Sequence, residues 1–394
     1  MSPISSKTSN QLLMLPGPTN VSTRVMNSML KPIISHRSPE FQSLLTNIED
    51  KLRQIFVTKH HVTTLSMSGT GAVEAVFQTF FKNGDKILFP MFGEFCQRPA
   101  DNAEMLGLNP IPIYSEIGYG PDIEKIKEAI DLIPNLTSMF IPLNETSTGI
   151  SPSHLKKIIS ICKKQDLLII VDAVSGLAGH TLNMDEWGID VCIAGSQKCI
   201  AAPPGLSMVA VNSKALEKSK QIPKISRHSD VSLNIEWLKT KSETPFTPAI
   251  PLFYALNEAL SEILEEGLKN RIERHSLCAS AIYKAMEQIP FELLVKDENR
   301  SNTVIAVKYP KGINDETFRS ELLKKHNVNI AGGAANLKDK IFRIGSLGSV
   351  SPENVLKTVT GISDIMNIMG TKHGCDINVK DIINETKHNL GLFN

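Results

Sequence analysis

Lys198 lies in "AGSQKCIAAPPGLSM", with no other charged residue from Ile193 to Val211. Lysine stems usually keep their ammonium in water, and burying one unpaired is costly. An amine held among small apolar groups has a depressed pKa and attacks aldehydes. Asp172 stands 26 residues earlier, at the end of the apolar run in "LLIIVDAVSG". In open α/β sheets such strand ends face the ligand crevice, where a carboxylate can pair with a cationic ligand atom. Taken singly, each has a plainer reading: Lys198 as a solvated surface lysine, Asp172 as a turn or helix cap.

"SMSGTGAVEAVFQ" adds a third element. Ser68-Gly69-Thr70-Gly71 runs directly into a helical pattern. The backbone N–H groups and positive end of a helix start cradle phosphate, and the Ser68 and Thr70 hydroxyls can assist. A dinucleotide fingerprint is excluded because Glu74 occupies the place of the third glycine, and a P-loop because no G-K-[ST] follows. A desolvated lysine, a strand-end aspartate and a phosphate cradle together match the needs of pyridoxal 5'-phosphate (PLP). The acid holds the pyridine proton and the amine forms the Schiff base.

Three further stretches could complete such a site. Phe95, in "FPMFGEFCQR", follows an apolar strand and can either pack in the core or stack on a flat ring. The hydroxyls of "LNETSTGI" can cap a helix at 151–153, bond a ring oxygen, or both. Arg343, in "KIFRIGSLG", is either the solvent face of an alternating strand or a bidentate fork for a carboxylate.

These residues need a scaffold that gathers strand ends. From about residue 60 to 215, short Val/Ile/Leu runs alternate with helix-period stretches, which predicts a mostly parallel sheet covered on both faces. Strands are expected at 86–90, 138–143, 167–174, 191–194 and 207–211. Helices are expected at 72–81, 123–133 and 153–164, with a broken helical stretch at 21–57. One long amphipathic helix is predicted over 250–290. The order strand 303–307, helix 314–325, strands 327–331 and 341–344, and a helix capped at Ser351 predicts a second, α+β unit. The tail from Gly370 shows no strong pattern. A chain of 394 residues exceeds what one core usually takes, so two domains are expected.

Composition excludes other classes. A formal net charge of +1 leaves no footprint for nucleic acid or an anionic membrane. No apolar run is long enough to span a bilayer. Cysteines 96, 162, 192, 199, 278 and 375 are scattered without a C-x-x-C pair, which argues against a disulfide framework or a zinc site and for a reduced, cytoplasmic chain.

In order and spacing, "PGPTNV", "NETSTG", "VDAVSGLAG" and "GSQKCIAAPPG" resemble the class V aminotransferases of fold-type I, in particular the alanine–glyoxylate and serine–pyruvate group. The likeness runs from Leu15 to about Gly370. It implies that Lys198 is the Schiff-base lysine and Asp172 the pyridine-nitrogen partner, with Val174 against the ring. It assigns Ser68, Gly69, Thr70 and Gln197 to the phosphate and Phe95 to ring stacking. Thr146 falls near the ring oxygen and substrate, Arg343 on the substrate carboxylate and Gly17 on the substrate side. In this family a neighbouring subunit completes the phosphate site. Thr247 is the better match for that contact; Thr244 stands where some relatives carry tyrosine.

The implied architecture is a large domain with a mainly parallel seven-stranded sheet and a smaller C-terminal α+β domain, paired as a homodimer. Its expected limits are an N-terminal segment (1–20), the large domain (21–260) and the small domain (261–394). The implied activity is ping-pong transamination between a small amino acid, alanine or serine favoured, and glyoxylate or pyruvate, with no metal. Aspartate, ureidoglycine or 2-aminoethylphosphonate are alternative donors. A PLP lyase, a cysteine desulfurase using Cys375 or Cys199, and a silent PLP-binding protein are the rivals.

Overall fold

The uninterrupted apolar run before Asp172 forms the strand Leu168–Asp172, whose first four residues are buried. The computed structural model describes residues 11–296, 298–370 and 377–392. Leu168–Asp172 is the central strand of a seven-stranded sheet. The spatial order is His61–Leu65, Ser207–Val211, Val191–Gly195, Leu168–Asp172, Leu136–Pro142, Lys86–Met91 and Asn109–Tyr114. Ser207–Val211 is antiparallel to both neighbours; the other pairings are parallel. Side chains on both faces are buried under helices, as parallel sheets require.

Register decides which residues meet. Pro142 lies opposite Asp172, and Asp172 opposite Ile193. Three strands therefore end side by side. The loops leaving them carry Thr146, Val174 and Lys198 to the same edge of the sheet.

A second sheet of five strands has the order Leu12–Met14, Val328–Gly332, Ile341–Gly345, Val304–Lys308 and Glu292–Leu293. It has its own apolar core, with Phe318, Phe342 and Ile344 fully buried. Leu12–Met14 pairs in parallel with Val328–Ile330, which brings the following residues, Pro16 and Gly17, back toward the large sheet.

Most expected elements form within a few residues of their predicted limits. The helix predicted over 250–290 is instead two, Ile250–Glu266 and Leu268–Gln288. They break at Gly267, whose φ of +85° ends the first helix at little steric cost. The strands His61–Leu65 and Asn109–Tyr114 were not read from the sequence. The first is Thr-rich, and the second is a sheet edge that tolerates two prolines. The tail also holds a helix, Val379–Asn389, which packs on the second core through Ile382. Among the described residues no helix is long and apolar enough to cross a membrane.

Candidate active site

The Lys198 turn is built by backbone bonds: Ala201 N–H donates to the Lys198 carbonyl, and Ala202 N–H to that of Ser196. The amine leaves this turn toward the N-terminal segment, where Nζ donates to the Pro16 carbonyl at 2.5 Å. Burial lowers its pKa, only partly offset by the charge of Asp172. It is a better nucleophile at neutral pH than a surface lysine.

Asp172 ends its strand with Oδ1 accepting from Val174 N–H at 2.8 Å. Burial pushes its pKa up to about 6, against that backbone bond. The charge of Glu145 adds to that rise and Lys198 opposes it, and a carboxylate so placed is suited to a protonated ring nitrogen.

The phosphate-type turn also forms. Ser68 caps the helix Gly69–Phe80, its Oγ accepting from Gly71 N–H at 3.2 Å. Gly69 is needed for close packing, because a Cβ there would meet the Val174 methyls at 3.0 and 3.1 Å.

One cleft of about 160 Å³, open to solvent, is lined by Ser68, Gly69, Thr70, Phe95, Thr146, Asp172, Val174, Gln197 and Lys198. Gly17 closes the lysine side: a Cβ on it would fall 2.5 Å from Lys198 Nζ. Arg343, on the second sheet, is not among the residues lining the cleft and meets it at the Thr146 loop. Its Nε donates to the Gly332 carbonyl at 2.8 Å, and Nη1 to the carbonyl of Thr146 at 3.0 Å. Thr247 is not brought to this cleft within its own chain. It lines a separate pocket with Ser66, His228, Thr244 and Phe246.

Cys199 is buried and turned away from the cleft, its Sγ donating to the Ser175 carbonyl at 3.4 Å. Cys375 lies outside the described residues. The five described cysteines are free and buried.

Other residues on the cleft were not singled out as site residues. Arg98, Pro99 and Asn102 line it from the helix Glu94–Met105. Their spacing from Phe95 is that of one helix face, a signal present in the sequence. Asn144 and Ser175 belong to stretches that were noticed, yet their mutual bond at 2.8 Å appears only in three dimensions. Glu145 was also passed over. It is fully buried and accepts from the N–H and hydroxyl of Ser147 at 2.8 and 2.7 Å.

The donor set suits PLP. The cleft joins a helix start, a desolvated amine and a buried carboxylate. The Gln197 amide oxygen is buried there without a partner among the described residues, an acceptor that a ligand N–H or O–H would satisfy, while its amide N–H₂ is the group able to donate to a phosphate. Among the described residues no cluster of three or more His, Cys, Asp or Glu could hold a metal.

A family model for class-V aminotransferases matches residues 19–345. An uncharacterized aminotransferase of Methanocaldococcus jannaschii is 38% identical over 91% of this chain and 94% of its own length. The serine–glyoxylate aminotransferase of Methylorubrum extorquens is 33% identical, over 89% of both chains. The crystal structure of a ureidoglycine–glyoxylate aminotransferase from Bacillus subtilis superposes with a TM-score of 0.88 at 29% identity, covering 96% of this chain and 97% of that one.

Proposed function

The chain belongs to the class-V aminotransferases, and from this we propose that it moves the amino group of a small amino acid, alanine or serine foremost, to glyoxylate or pyruvate with PLP as cofactor. The observation that carries this reading is the single cleft in which Lys198, Asp172 and the Ser68–Thr70 helix start face one another. The glyoxylate acceptor is supported by relatives whose names include it.

Bound PLP supplies an aldehyde carbon that exchanges between amines and a ring that takes up electrons when the donor's Cα loses its proton. Asp172 would keep a proton on the ring nitrogen. Ser68, Gly69, Thr70 and Gln197 would hold the phosphate, Phe95 and Val174 would confine the ring, and Thr146 would offer a hydroxyl to its oxygen. Arg343 grips the substrate carboxylate, with Gly17 beside it. Lys198 Nζ is the base that lifts the donor's α-proton and later returns it. Both substrates use this cleft in turn, which predicts ping-pong kinetics.

A small neutral donor is favoured over aspartate or a phosphonate by Arg98. This guanidinium on the cleft wall is already bonded to Glu94 at 3.0 Å and stacked over Phe95 at 4.9 Å. It is poorly disposed to take a second acidic group.

The same reading makes the protein a cytoplasmic homodimer of a segment 1–20, a large domain 21–260 and a small domain 261–394. The stretch 242–251 of one copy would reach the phosphate end of the other's cleft through Thr247. The exposed Leu30, Ile33 and Phe246 are apolar surface that such pairing would cover.

The test is the absorbance spectrum of the purified protein, recorded alone and after alanine, serine, aspartate or 2-aminoethylphosphonate. A visible band that one donor bleaches, and that glyoxylate or pyruvate restores, identifies a transaminase and its donor. Absence of the band, or its survival in Lys198→Ala, refutes the assignment of Lys198. Sulfide released from cysteine would instead favour a desulfurase.

A further inference from the structure

Glu145 lies next to the cleft-lining Thr146 and has no exposed surface. Its Oε1 accepts from the N–H and hydroxyl of Ser147, and its Oε2 from Cys96 Sγ at 3.5 Å. Its carboxylate therefore joins the loop that carries Thr146 and Ser147 to the first turn of the helix Glu94–Met105, which carries Phe95 and Cys96. The Ser147 hydroxyl extends the joint by accepting from Glu94 N–H at 2.9 Å, and Thr148 Oγ1 donates to the Phe92 carbonyl at 3.1 Å. Gly93 makes room for this, since a Cβ there would lie 2.4 Å from Glu145 Cγ and Cδ.

The charge of this group acts where the substrate binds. Arg343 donates to the carbonyl of Thr146, the residue after Glu145. Burial lowers the Arg343 pKa; the charge of Glu145 pulls it back up, whereas Arg98 and Arg319 lower it further. Arg319 is in turn bound to Asp315 at 2.6 Å, and Arg98 to Glu94. The donors around Glu145 favour its ionised form, while burial opposes ionisation and raises its pKa. Burial also means that little solvent screens its field.

We propose that Glu145 is the counter-charge of Arg343: a positioning residue that fastens the start of the Phe95 helix to the Thr146 loop and limits how tightly Arg343 holds a substrate carboxylate. This rests on the carboxylate-binding role proposed for Arg343. A site that takes two acids in turn must release each product, and a tempered arginine serves release at some cost in affinity. Binding a substrate less tightly raises KM without slowing the chemical step.

The test measures propionate, a monocarboxylate without an amino group, binding to the cofactor-loaded protein by calorimetry. Glu145→Gln keeps the shape, since its amide oxygen can accept from Ser147. It should tighten propionate about three- to tenfold, the scale expected for removing one charge at such range. The KM of the amino donor should fall in parallel. Glu145→Asp keeps the charge and should bind propionate within about twofold of wild type, while its shorter reach loosens the joint between loop and helix and lowers kcat. Glu145→Met, apolar and of similar length, repeats the charge removal should the amide variant not fold. Unchanged or weaker propionate binding in the charge-free variants, with the visible band intact, overturns the proposal, because a purely structural role predicts only loss. Equal tightening in Glu145→Asp overturns it too. A wild-type protein that ignores propionate, or an Arg343→Ala variant that binds it equally well, overturns the role of Arg343 and this inference with it. Turnover of the donor by wild type is read separately and tests the transaminase reading alone.

Discussion

Gly17 packs against the Lys198 amine so closely that one added methyl group would lie 2.5 Å from Nζ and 2.7 Å from Cε. These residues are 181 positions apart (198 minus 17), and they meet because Leu12–Met14 joins the second sheet. The contact explains why a glycine with φ of +121° stands beside the amine.

Gly17→Ala should therefore move the amine rather than unfold the protein. The unfavourable backbone costs about 1–3 kcal/mol of stability. Displacing Nζ by about an ångström should cost on the order of 100-fold in kcat. Thermal unfolding and steady-state kinetics on the same preparation separate the two effects. Unchanged kcat would mean that Gly17 does not shape the site.

Asp172 should give the cofactor-free protein an unusual pH dependence. Its pKa is raised from 3.8 to about 6 by burial, so between those values the folded state binds more protons than the unfolded state. Stability from this group is present below pH 4 and is lost as pH rises through 6, by about 2–3 kcal/mol. Asp172→Asn should flatten that slope in denaturant titrations at pH 4 to 7. In the loaded enzyme the same variant should lower kcat by about 1000-fold or more, because the ring nitrogen loses its charged partner.

Arg343→Gln should leave the visible band intact and raise the KM of the amino donor. Loss of a charged hydrogen bond of about 1.5–3 kcal/mol corresponds to roughly 10- to 150-fold. A donor titration followed by absorbance reads this directly. A variant with unchanged KM would return Arg343 to a structural role, bracing Gly332 and Thr146.

His180 should make the protein acid-sensitive. It is buried between the hydroxyls of Ser151 and Ser301, at 3.2 and 3.4 Å, and burial depresses its pKa from 6.5 to about 4. Here the unfolded state takes the proton first, so stability is intact above pH 6.5 and falls as pH drops toward 4. His180→Asn should be less stable than wild type by about 1–3 kcal/mol at pH 8, through its lost hydrogen bonds. The gap should narrow at pH 5, as urea unfolding at both values would show. His275, buried and likewise depressed, adds to the wild-type slope and remains in the variant.

The chemistry was legible because it is carried by local stretches. A lysine among small residues, an aspartate ending an apolar run and a Gly-rich helix start each have a one-dimensional signature, and all three line the same cleft. Strands with both faces buried read as continuous apolar runs, so the alternating pattern of the large sheet could be anticipated. The single helix over 250–290 was an error of continuity: its apolar rhythm resumes after Gly267, and periodicity alone does not register one left-handed residue.

The amino-acid sequence by itself determined the kinds of groups present and which strand ends would carry them. Side-chain type and short-range periodicity are local properties, written in consecutive residues. Only the tertiary structure decided that Gly17 touches Lys198, that Arg343 crosses from the second sheet to the Thr146 carbonyl, and that a buried Glu145 sits behind Phe95 and Thr146. Each depends on strand register and on packing between residues far apart in the chain, and neither distance nor desolvation can be read until the backbone has brought those residues together.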